Sequence, residues 1–261
     1  LREDELYAAA LKATAEALGA FGRVQRLERS FVPNFIFGPD DLVVVLGQDG
    51  LVANTLKYLD GQSVVGVNPD PARWDGKLLP FRVGDLPRLM RDVLGGARPI
   101  KEITMAEASL NNGARLYAVN DLFIGPQSHV SARYSIETGG RSEHQSSSGI
   151  IVSTGLGSTG WLSSIHAGWR ATSAYLAPGT ELPSADPGFA WDSDHLSFCV
   201  REPFPSRSSE ASLVMGRIEG GGTLRIVSEM PERGVIFSDG LESDFLEFNS
   251  GTEAVIRVAD R

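Results

Sequence analysis

The first third of the chain alternates short apolar runs with segments of helical periodicity. Short, almost wholly apolar runs are typical of strands in a parallel sheet covered on both faces, whereas helical segments repeat their apolar residues every three or four positions. The pattern predicts strands at 23–31, 42–46 and 63–67 and helices at 6–17, 52–59 and 85–94. This order of elements is that of an α/β domain, which we assign to residues 1–98.

The pattern changes after about residue 98. Short apolar segments are now separated by Gly, Pro, Asn and Ser, which is typical of all-β domains. One helix, at 158–167, and a long loop, at 178–194, interrupt the series. We interpret residues 99–261 as a second, β-rich domain. Its predicted strands are 116–124, 130–137, 150–154, 196–200, 223–228, 235–237 and 254–258.

Composition and charge narrow the class of protein. The hydrophobic content of 42% and charged content of 22% are those of a globular chain. A net charge of −9 argues against a protein that coats nucleic acid, because such proteins carry basic stripes, but it leaves small phosphorylated ligands open. A single cysteine, Cys199, excludes an internal disulfide and a multi-cysteine zinc site. With no signal peptide and no apolar run of about 18 residues, we expect a cytoplasmic protein without a membrane partner.

The loop after the run at 42–46 combines glycines with a carboxylate. Gly47 and Gly50 flank Gln48 and Asp49, and a predicted helix follows. Backbone N–H groups and a helix N-terminus attract phosphate, and Asp49 could accept a proton beside them. Glycine and aspartate also occur in such turns for backbone reasons alone, since glycine adopts positive φ and aspartate caps helices. The loop by itself therefore indicates either a phosphate site or an ordinary turn.

Two further polar stretches interrupt the β-rich part. The small-residue loop 154–160 opens a helix with Ser158 and Thr159, whose hydroxyls suit ribose or phosphate but also an ordinary helix cap. Asn120 and Asp121 lie within the predicted strand 116–124 and would point to opposite faces of it. A buried polar pair without partners is costly, so either one of them faces a cleft, or a bulge or turn lets both reach water.

Taken in order, these motifs resemble those of the NAD kinases. Gly-Gln-Asp-Gly at 47–50, Asn-Asp at 120–121 and Ser-Thr-Gly-Leu-Gly-Ser-Thr at 153–159 are similar to the family's Gly-Gly-Asp-Gly, Asn-Glu and Thr-Gly-Ser-Thr-type loop. The resemblance covers roughly residues 4–259. Its finer details look like the mitochondrial-type branch of the family. They lie at 66–73, Gly76, 147–149, Trp161, 200–203 and 248–251.

The resemblance implies an α/β N-terminal domain that binds nucleotide and an all-β, β-sandwich-like C-terminal domain that binds dinucleotide. It also implies transfer of a phosphoryl group from ATP, or from polyphosphate, to the adenosine ribose 2′-hydroxyl of NAD(H), which gives NADP(H). Mg²⁺ would arrive with ATP and neutralise phosphate charge. A homodimer or a larger homo-oligomer is the expected assembly.

The resemblance also implies roles for individual residues. Asp49 matches the family's catalytic acid, which orients and deprotonates the attacking hydroxyl, and the late Asp239 is expected to be structural. Arg73 and Arg201 are candidate phosphate-facing cations, with an ordinary surface position as the alternative for each. The nucleotide- or phosphate-binding set is Gly47, Gln48, Gly50, Arg73 and Arg201. The NAD-binding set is Asn68, Asn120, Asp121, Ser158, Thr159 and Gly160.

Some positions depart from the family pattern and keep other functions open. Gln48 replaces a glycine, which would cost roughly 1–2 kcal/mol if the backbone there requires positive φ. Leu51 replaces a threonine, and Asp121 is one methylene shorter than the usual glutamate. One alternative is a catalytically silent relative that binds a dinucleotide as a sensor or regulatory module. Another is a kinase for a different hydroxyl, such as that of a lipid or a sugar.

Overall fold

The computed structural model describes residues 2–180 and 188–260. The chain divides into two compact units between Lys101 and Glu102. None of the helices in the described ranges is both long and apolar enough to cross a membrane.

The first unit is a three-stranded parallel sheet with helices on both faces. The elements are α1 (Arg2–Gly19), β1 (Val43–Leu46), α2 (Asp49–Leu56), β2 (Val64–Asn68), β3 (Phe81–Arg82) and α3 (Leu86–Leu94). The strands are in the order β1-β2-β3, with Val43 opposite Val64 and Leu46 opposite Val67. Alternate residues of each strand face opposite sides, so α1 and α3 pack on one face beside Leu46 and Val67, and α2 packs on the other beside Val45.

Two predictions for this unit need correction. The strand at 23–31 is wrong, because residues 23–28 have no regular structure and Arg29–Asn34 form a 3₁₀ helix. The apolar residues of this segment are not buried as they would be in a strand, since Val24 is 43% exposed and Phe31 is 60% exposed. The second helix begins at Asp49, three residues before its predicted start. Asp49 is therefore the first residue of a helix, where partial positive charge from the backbone accumulates.

The second unit is a sandwich of two six-stranded antiparallel sheets. The elements are β4 (Ala106–Leu110), β5 (Arg115–Ala118), β6 (Asp121–Pro126), β7 (Ala132–Thr138), β8 (Arg141–Ser147), β9 (Ile150–Ser153), α4 (Trp161–Leu176), β10 (Leu196–Val200), β11 (Met215–Ile218), β12 (Leu224–Ser228), β13 (Gly234–Ser238), β14 (Phe245–Glu247) and β15 (Glu253–Val258). One sheet has the order β11-β10-β9-β6-β13-β14 and the other β5-β4-β15-β12-β7-β8. Residues of both sheets form one buried core, and Trp161 and Ile165 of α4 pack on the outer face of the first sheet. The fold class predicted from sequence is confirmed.

Several boundaries in this unit differ from the prediction. The single strand at 116–124 is wrong: β5 ends at Ala118 and β6 begins at Asp121, with a break between them. Strands β4, β8, β11 and β14 were not predicted. In β8 the inward side chains Glu143 and Gln145 are polar and buried, so the strand lacks an apolar alternation. Helix α4 extends nine residues beyond its predicted end.

The predicted loop at 178–194 falls partly on residues 181–187, which lie outside the described residues. The flanking residues, 177–180 and 188–195, contain turns but no helix or strand.

Candidate active site

The turn from β1 to α2 carries the first group of predicted site residues. Gly47 is buried, Gln48 is exposed, and Asp49 is half-buried. Gln48 has φ −109 and ψ 162, which is ordinary extended backbone. The cost considered for a positive φ at this position therefore does not arise. The Gln48 carbonyl accepts the N–H groups of Leu51 and Val52 at the start of the helix. These bonds use only the backbone of Gln48, so they do not depend on its side chain.

The Asp49 carboxylate is held at both oxygens. Its Oδ1 accepts the Leu78 N–H at 2.7 Å, and its Oδ2 accepts the Lys77 N–H at 3.2 Å. Backbone donors are fixed by the chain itself and cost no side-chain entropy. The two bonds therefore set the direction of the carboxylate and still leave lone pairs on each oxygen for a further donor.

Asn68, at the end of β2, shapes the segment that supplies these donors. Its side chain is buried, with Nδ2 donating to the Trp74 carbonyl at 2.9 Å and Oδ1 accepting the Asp70 N–H at 3.0 Å. Gly76 adopts φ +63, and a side chain there would meet the Asn68 amide nitrogen at 2.7 Å. The amide that the family resemblance assigns to dinucleotide binding thus makes bonds within its own loop.

Arg73 forms contacts close to this loop. It is ion-paired with Glu3 of α1, and its guanidinium lies 4.9 Å from the centroid of the Trp74 ring. The hydrogen bond between the two groups raises the pKa of Arg73 above its usual range and lowers that of Glu3. Both side chains are largely exposed, so the pair contributes little to stability.

A pocket of about 540 Å³ lies beside the β1–α2 turn. Gly47, Gln48 and Gly50 line it on one side. Its charged lining residues are three carboxylates and one guanidinium, from Glu3, Asp4, Asp70 and Arg29. Arg73 offsets the charge of Glu3, so the lining keeps only a slight excess of negative charge, which disfavours a free polyanion.

In the second unit, Asp239 organises the break between β5 and β6. Asp239 has φ +53, and its carboxylate accepts the N–H groups of Val119 at 3.0 Å, Asn120 at 2.6 Å and Asp121 at 3.3 Å. An ionised acceptor shared by three backbone donors is a strong local anchor. The turn this anchor holds keeps Asn120 and Asp121 partly exposed.

The same break is joined to the loop that leads into α4. The Thr154 hydroxyl donates to the Val119 carbonyl at 2.6 Å, and the Thr154 N–H donates to the Asn120 carbonyl at 2.9 Å. Gly157 approaches so closely that a side chain there would lie 2.2 Å from the Asn120 carbonyl oxygen. The structure thus brings the Asn-Asp motif and the small-residue loop together.

Asp121 differs from its neighbours in lacking a full set of partners. Its Oδ1 is inaccessible to solvent and has no hydrogen-bond partner among the described residues. Burial raises the pKa of Asp121 to about 7, opposed by a hydrogen bond with Ser153 and assisted by the nearby Asp239 carboxylate. Near neutral pH this side chain can therefore donate a hydrogen bond as well as accept one.

The remaining predicted residues divide between internal and exposed positions. The Ser158 hydroxyl donates to the Gly155 carbonyl at 2.7 Å and accepts the Phe189 N–H at 3.1 Å, so it serves the loop itself. Thr159 and Gly160 are exposed at the start of α4. Arg201 lies 5.6 Å from the centroid of the Trp161 ring and pairs with Glu202 at 3.5 Å.

Sequence reasoning missed two features. The donors to Asp49 are backbone N–H groups of Lys77 and Leu78, which no side-chain pattern reveals. The only hint in the sequence was Gly76, which directly precedes these two residues and belongs to the part of the chain that resembles the NAD kinases. The second feature is a group of possible metal ligands within 4.8 Å of one another, contributed by Asp194, His195 and Glu219. Both of its carboxylates are exposed, and their separation along the chain hides the group from any search for closely spaced ligands.

Known protein structures with a similar fold include two kinases of NAD or NADH. None of the protein-family models matches the chain, and no curated protein matches it either. The crystal structure of yeast NADH kinase complexed with NADH is similar, with a TM-score of 0.56 and 18% identity over 84% of this chain. The chain covers 58% of that protein's length. The crystal structure of an NAD kinase from Archaeoglobus fulgidus in complex with ATP is also similar, with a TM-score of 0.61 and 17% identity over 96% of this chain and 86% of that one. At these identities the likeness concerns the fold, and the fold of this chain is that of the NAD kinases.

Proposed function

We propose that this protein is an NAD kinase-like phosphotransferase of the mitochondrial-like type. It transfers a phosphoryl group from ATP, or from polyphosphate, to the adenosine ribose 2′-hydroxyl of NAD(H). The observation that carries the proposal is Asp49, a carboxylate at the first residue of a helix, with each oxygen fixed by a backbone N–H group. Its place in the fold of the NAD kinases supports this reaction over other uses of a strand-to-helix turn.

Asp49 acts in this proposal as the group that orients and deprotonates the attacking hydroxyl. Phosphoryl transfer depends on alignment and charge neutralisation more than on covalent chemistry by the protein. A fixed carboxylate meets the first need, because the hydroxyl hydrogen points where the acceptor oxygen directs it. Its help as a base grows as the hydroxyl becomes acidic in the transition state, and such help contributes about 10²–10⁴-fold.

The donor enters as its Mg²⁺ complex. The carboxylates beside the β1–α2 turn repel free triphosphate, whereas metal-bound ATP carries less negative charge. The backbone of Gly47, Gln48 and Gly50 then contributes N–H groups at the start of α2. In this proposal Arg73, once it has left Glu3, is a phosphate-facing cation of the first unit, and Arg201 is one of the second unit.

The second unit holds the dinucleotide in this proposal. Asn120 and Asp121 present polar atoms at the break between β5 and β6, with Thr159 and Gly160 exposed at the start of α4. Asp121 takes part through its exposed portion, because its Oδ1 is inaccessible to solvent. Ser158, assigned to the same set by resemblance, contributes through the loop that it holds. Asn68, also assigned to that set, lies in the first unit and contributes there through the loop that it bonds.

The second candidate is a silent dinucleotide-binding relative. It is favoured by the charges of the pocket beside the β1–α2 turn, where carboxylates outnumber cations, and by the pairing of Arg73 with Glu3. A protein that no longer uses a phosphate donor can tolerate both features. Binding of a dinucleotide without turnover is the behaviour that this candidate predicts.

One assay separates the two candidates. NADP and NADPH are measured after incubation of NAD or NADH with ATP and Mg²⁺, or with polyphosphate, for the wild type and Asp49→Asn. We expect product with the wild type and at least about a 100-fold loss with the variant, whose amide cannot accept the proton. Dinucleotide binding measured by calorimetry, with no product from any donor, would replace the kinase proposal by the silent one.

A further inference from the structure

We infer that Gly66 is a positioning residue for Asp49 and acts through the backbone of Leu78. The inference rests on the proposed function, in which Asp49 contacts the attacking hydroxyl. Gly66 itself lies in the middle of β2, opposite Val45 of β1. It contributes by leaving room for another part of the chain.

The space above Gly66 is occupied by the backbone of the segment that holds Asp49. A β-carbon at position 66 would lie 1.9 Å from the Leu78 carbonyl oxygen and 2.9 Å from its carbonyl carbon. It would also lie 3.2 Å from the Leu79 Cα. All of these atoms belong to the backbone, so no change of side-chain rotamer can relieve the contact. Restoring an ordinary separation of 3.4 Å requires a shift of about 1.5 Å.

That shift is transmitted to Asp49 because one residue carries both contacts. The Leu78 carbonyl lies against Gly66, and the Leu78 N–H donates to Asp49 Oδ1 at 2.7 Å. Turning the peptide between Leu78 and Leu79 alone would break the hydrogen bond from the Leu79 N–H to the Gly76 carbonyl at 3.1 Å and would leave the Leu79 Cα against the β-carbon, so the Leu78 backbone has to shift as a whole. A hydrogen bond of 2.7 Å cannot follow a displacement of this size without lengthening or changing the carboxylate direction.

The other end of the segment is fixed by Asn68, two residues further along β2. Its amide bonds the Trp74 carbonyl and the Asp70 N–H, and Gly76 turns the chain at φ +63 directly against that amide. Strand β2 therefore holds the loop at two points, by space at Gly66 and by hydrogen bonds at Asn68. Asn68 is a second positioning residue on this view, although the family resemblance assigns it to the dinucleotide.

The first test compares Gly66→Ala with Gly84→Ala. A β-carbon at Gly84 meets nothing within 4 Å, so the control adds the same methyl group at an open position of the same unit. We expect Gly66→Ala to lower kcat about 10- to 100-fold with KM for the dinucleotide within about threefold, because a misplacement near 1 Å costs about that much. Gly84→Ala should stay within about twofold in both. An active wild type with an equally active Gly66→Ala variant overturns the inference.

The second variant, Asn68→Asp, protects the test against a folding defect in Gly66→Ala. It keeps the acceptor for the Asp70 N–H but places an oxygen against the Trp74 carbonyl. A positioning role predicts a fall in kcat with little change in KM. A direct dinucleotide contact instead predicts a rise in KM with kcat retained, which would overturn the role given to Asn68.

A third measurement does not depend on activity. Amide hydrogen exchange by NMR should show Leu78 and Lys77 protected in the wild type and exchanging at least about tenfold faster in Asp49→Ala and in Gly66→Ala. The buried Leu89 amide in α3 should remain unchanged in all three proteins. Full protection of the Leu78 amide in Gly66→Ala contradicts the inference. If the wild type forms no NADP(H) but shows the expected exchange pattern, the proposed function is contradicted. The inference that Gly66 positions Asp49 through Leu78 is then still supported.

Discussion

Two aspartates near strand ends, Asp49 and Asp121, differ in their hydrogen-bond partners and therefore in their chemical properties. Asp49, at the first residue of α2, is half-buried and each of its oxygens accepts a backbone N–H group. Asp121, at the start of β6, has one oxygen with no partner in the described parts of the chain, and burial raises its pKa to about 7. The first carboxylate is fixed in direction and the second is short of a donor. A group of the first kind can align a substrate, and a group of the second kind changes its protonation state near neutral pH.

The difference comes from the backbone around each acid. Asp49 meets a loop that folds back and presents two N–H groups to it. The N–H groups around Asp121, in contrast, are taken by Asp239, which accepts three of them. Asp239 thus takes the N–H groups at the break, and Asp121 accepts none of these three. Asp121 keeps its unsatisfied oxygen.

Substitution of Asp121 by asparagine should give the largest change in stability. The folded pKa is near 7 and the ordinary value is 3.8, so the folded state binds more protons than the unfolded state between these values. The free energy of unfolding of the wild type should therefore fall as pH rises from 4 to 7, by up to about 4 kcal/mol from this group. The Asp121→Asn variant lacks that loss. Urea denaturation should find the two proteins similar near pH 4 and the variant more stable at pH 8.

The control for this prediction is Glu242→Gln, which neutralises an exposed acid of the same unit. Its free energy of unfolding should follow the wild type across the pH range. Parallel curves for Asp121→Asn and the wild type would mean that the pKa of Asp121 is not raised.

Substitution of Asp239 by asparagine tests the second carboxylate at the break between β5 and β6. Asparagine tolerates the backbone at φ +53, so the change isolates the loss of the ionised acceptor. With one amide oxygen in place of two carboxylate oxygens, at least one N–H group loses its partner, and we expect about 2 kcal/mol of destabilisation. Chemical denaturation at pH 8 measures it, with Glu242→Gln again as the control. A change below about 0.5 kcal/mol would show that water replaces the carboxylate at little cost.

Substitution of Asp49 by asparagine should have a smaller effect on stability than either, in contrast to its effect on turnover. The amide oxygen can still accept the Leu78 N–H, and the half-exposed site lets water reach the Lys77 N–H. We expect a loss of about 1 kcal/mol or less at neutral pH. Thermal and urea denaturation beside Asp40→Asn, an exposed acid of the same unit, measure it. A loss above about 3 kcal/mol in the free energy of unfolding would mean that the main role of Asp49 is to stabilise the fold.

The comparison also shows what a sequence can reveal. Periodicity identified the α/β and β-rich regions, and the order of the motifs indicated the NAD kinase fold, because each depends on residue type and spacing. The strand predicted at 116–124 failed at its centre, where the carboxylate of Asp239 fixes a break more than a hundred residues away along the chain. The support of Asp49 was equally hidden, since its donors are backbone groups. Local patterns do not report which backbone atoms a fold brings to a side chain.

The smallest effect should come from Gln48→Gly, the change that restores the family-like glycine. Because Gln48 has φ −109, glycine relieves no strain, and its greater unfolded-state freedom is opposed by its suitability for the N-cap position, so stability should change by less than about 0.5 kcal/mol. Turnover should stay within about threefold, since the side chain is exposed and the Asp49 contacts come from Lys77 and Leu78. Steady-state kinetics beside Gln48→Ala separates the side chain from flexibility. A tenfold or greater gain in turnover in both variants would mean that the glutamine side chain occupies space needed by the phosphate donor. Gln48 would then lower the rate of the reaction at Asp49, and its presence in place of glycine would not be neutral.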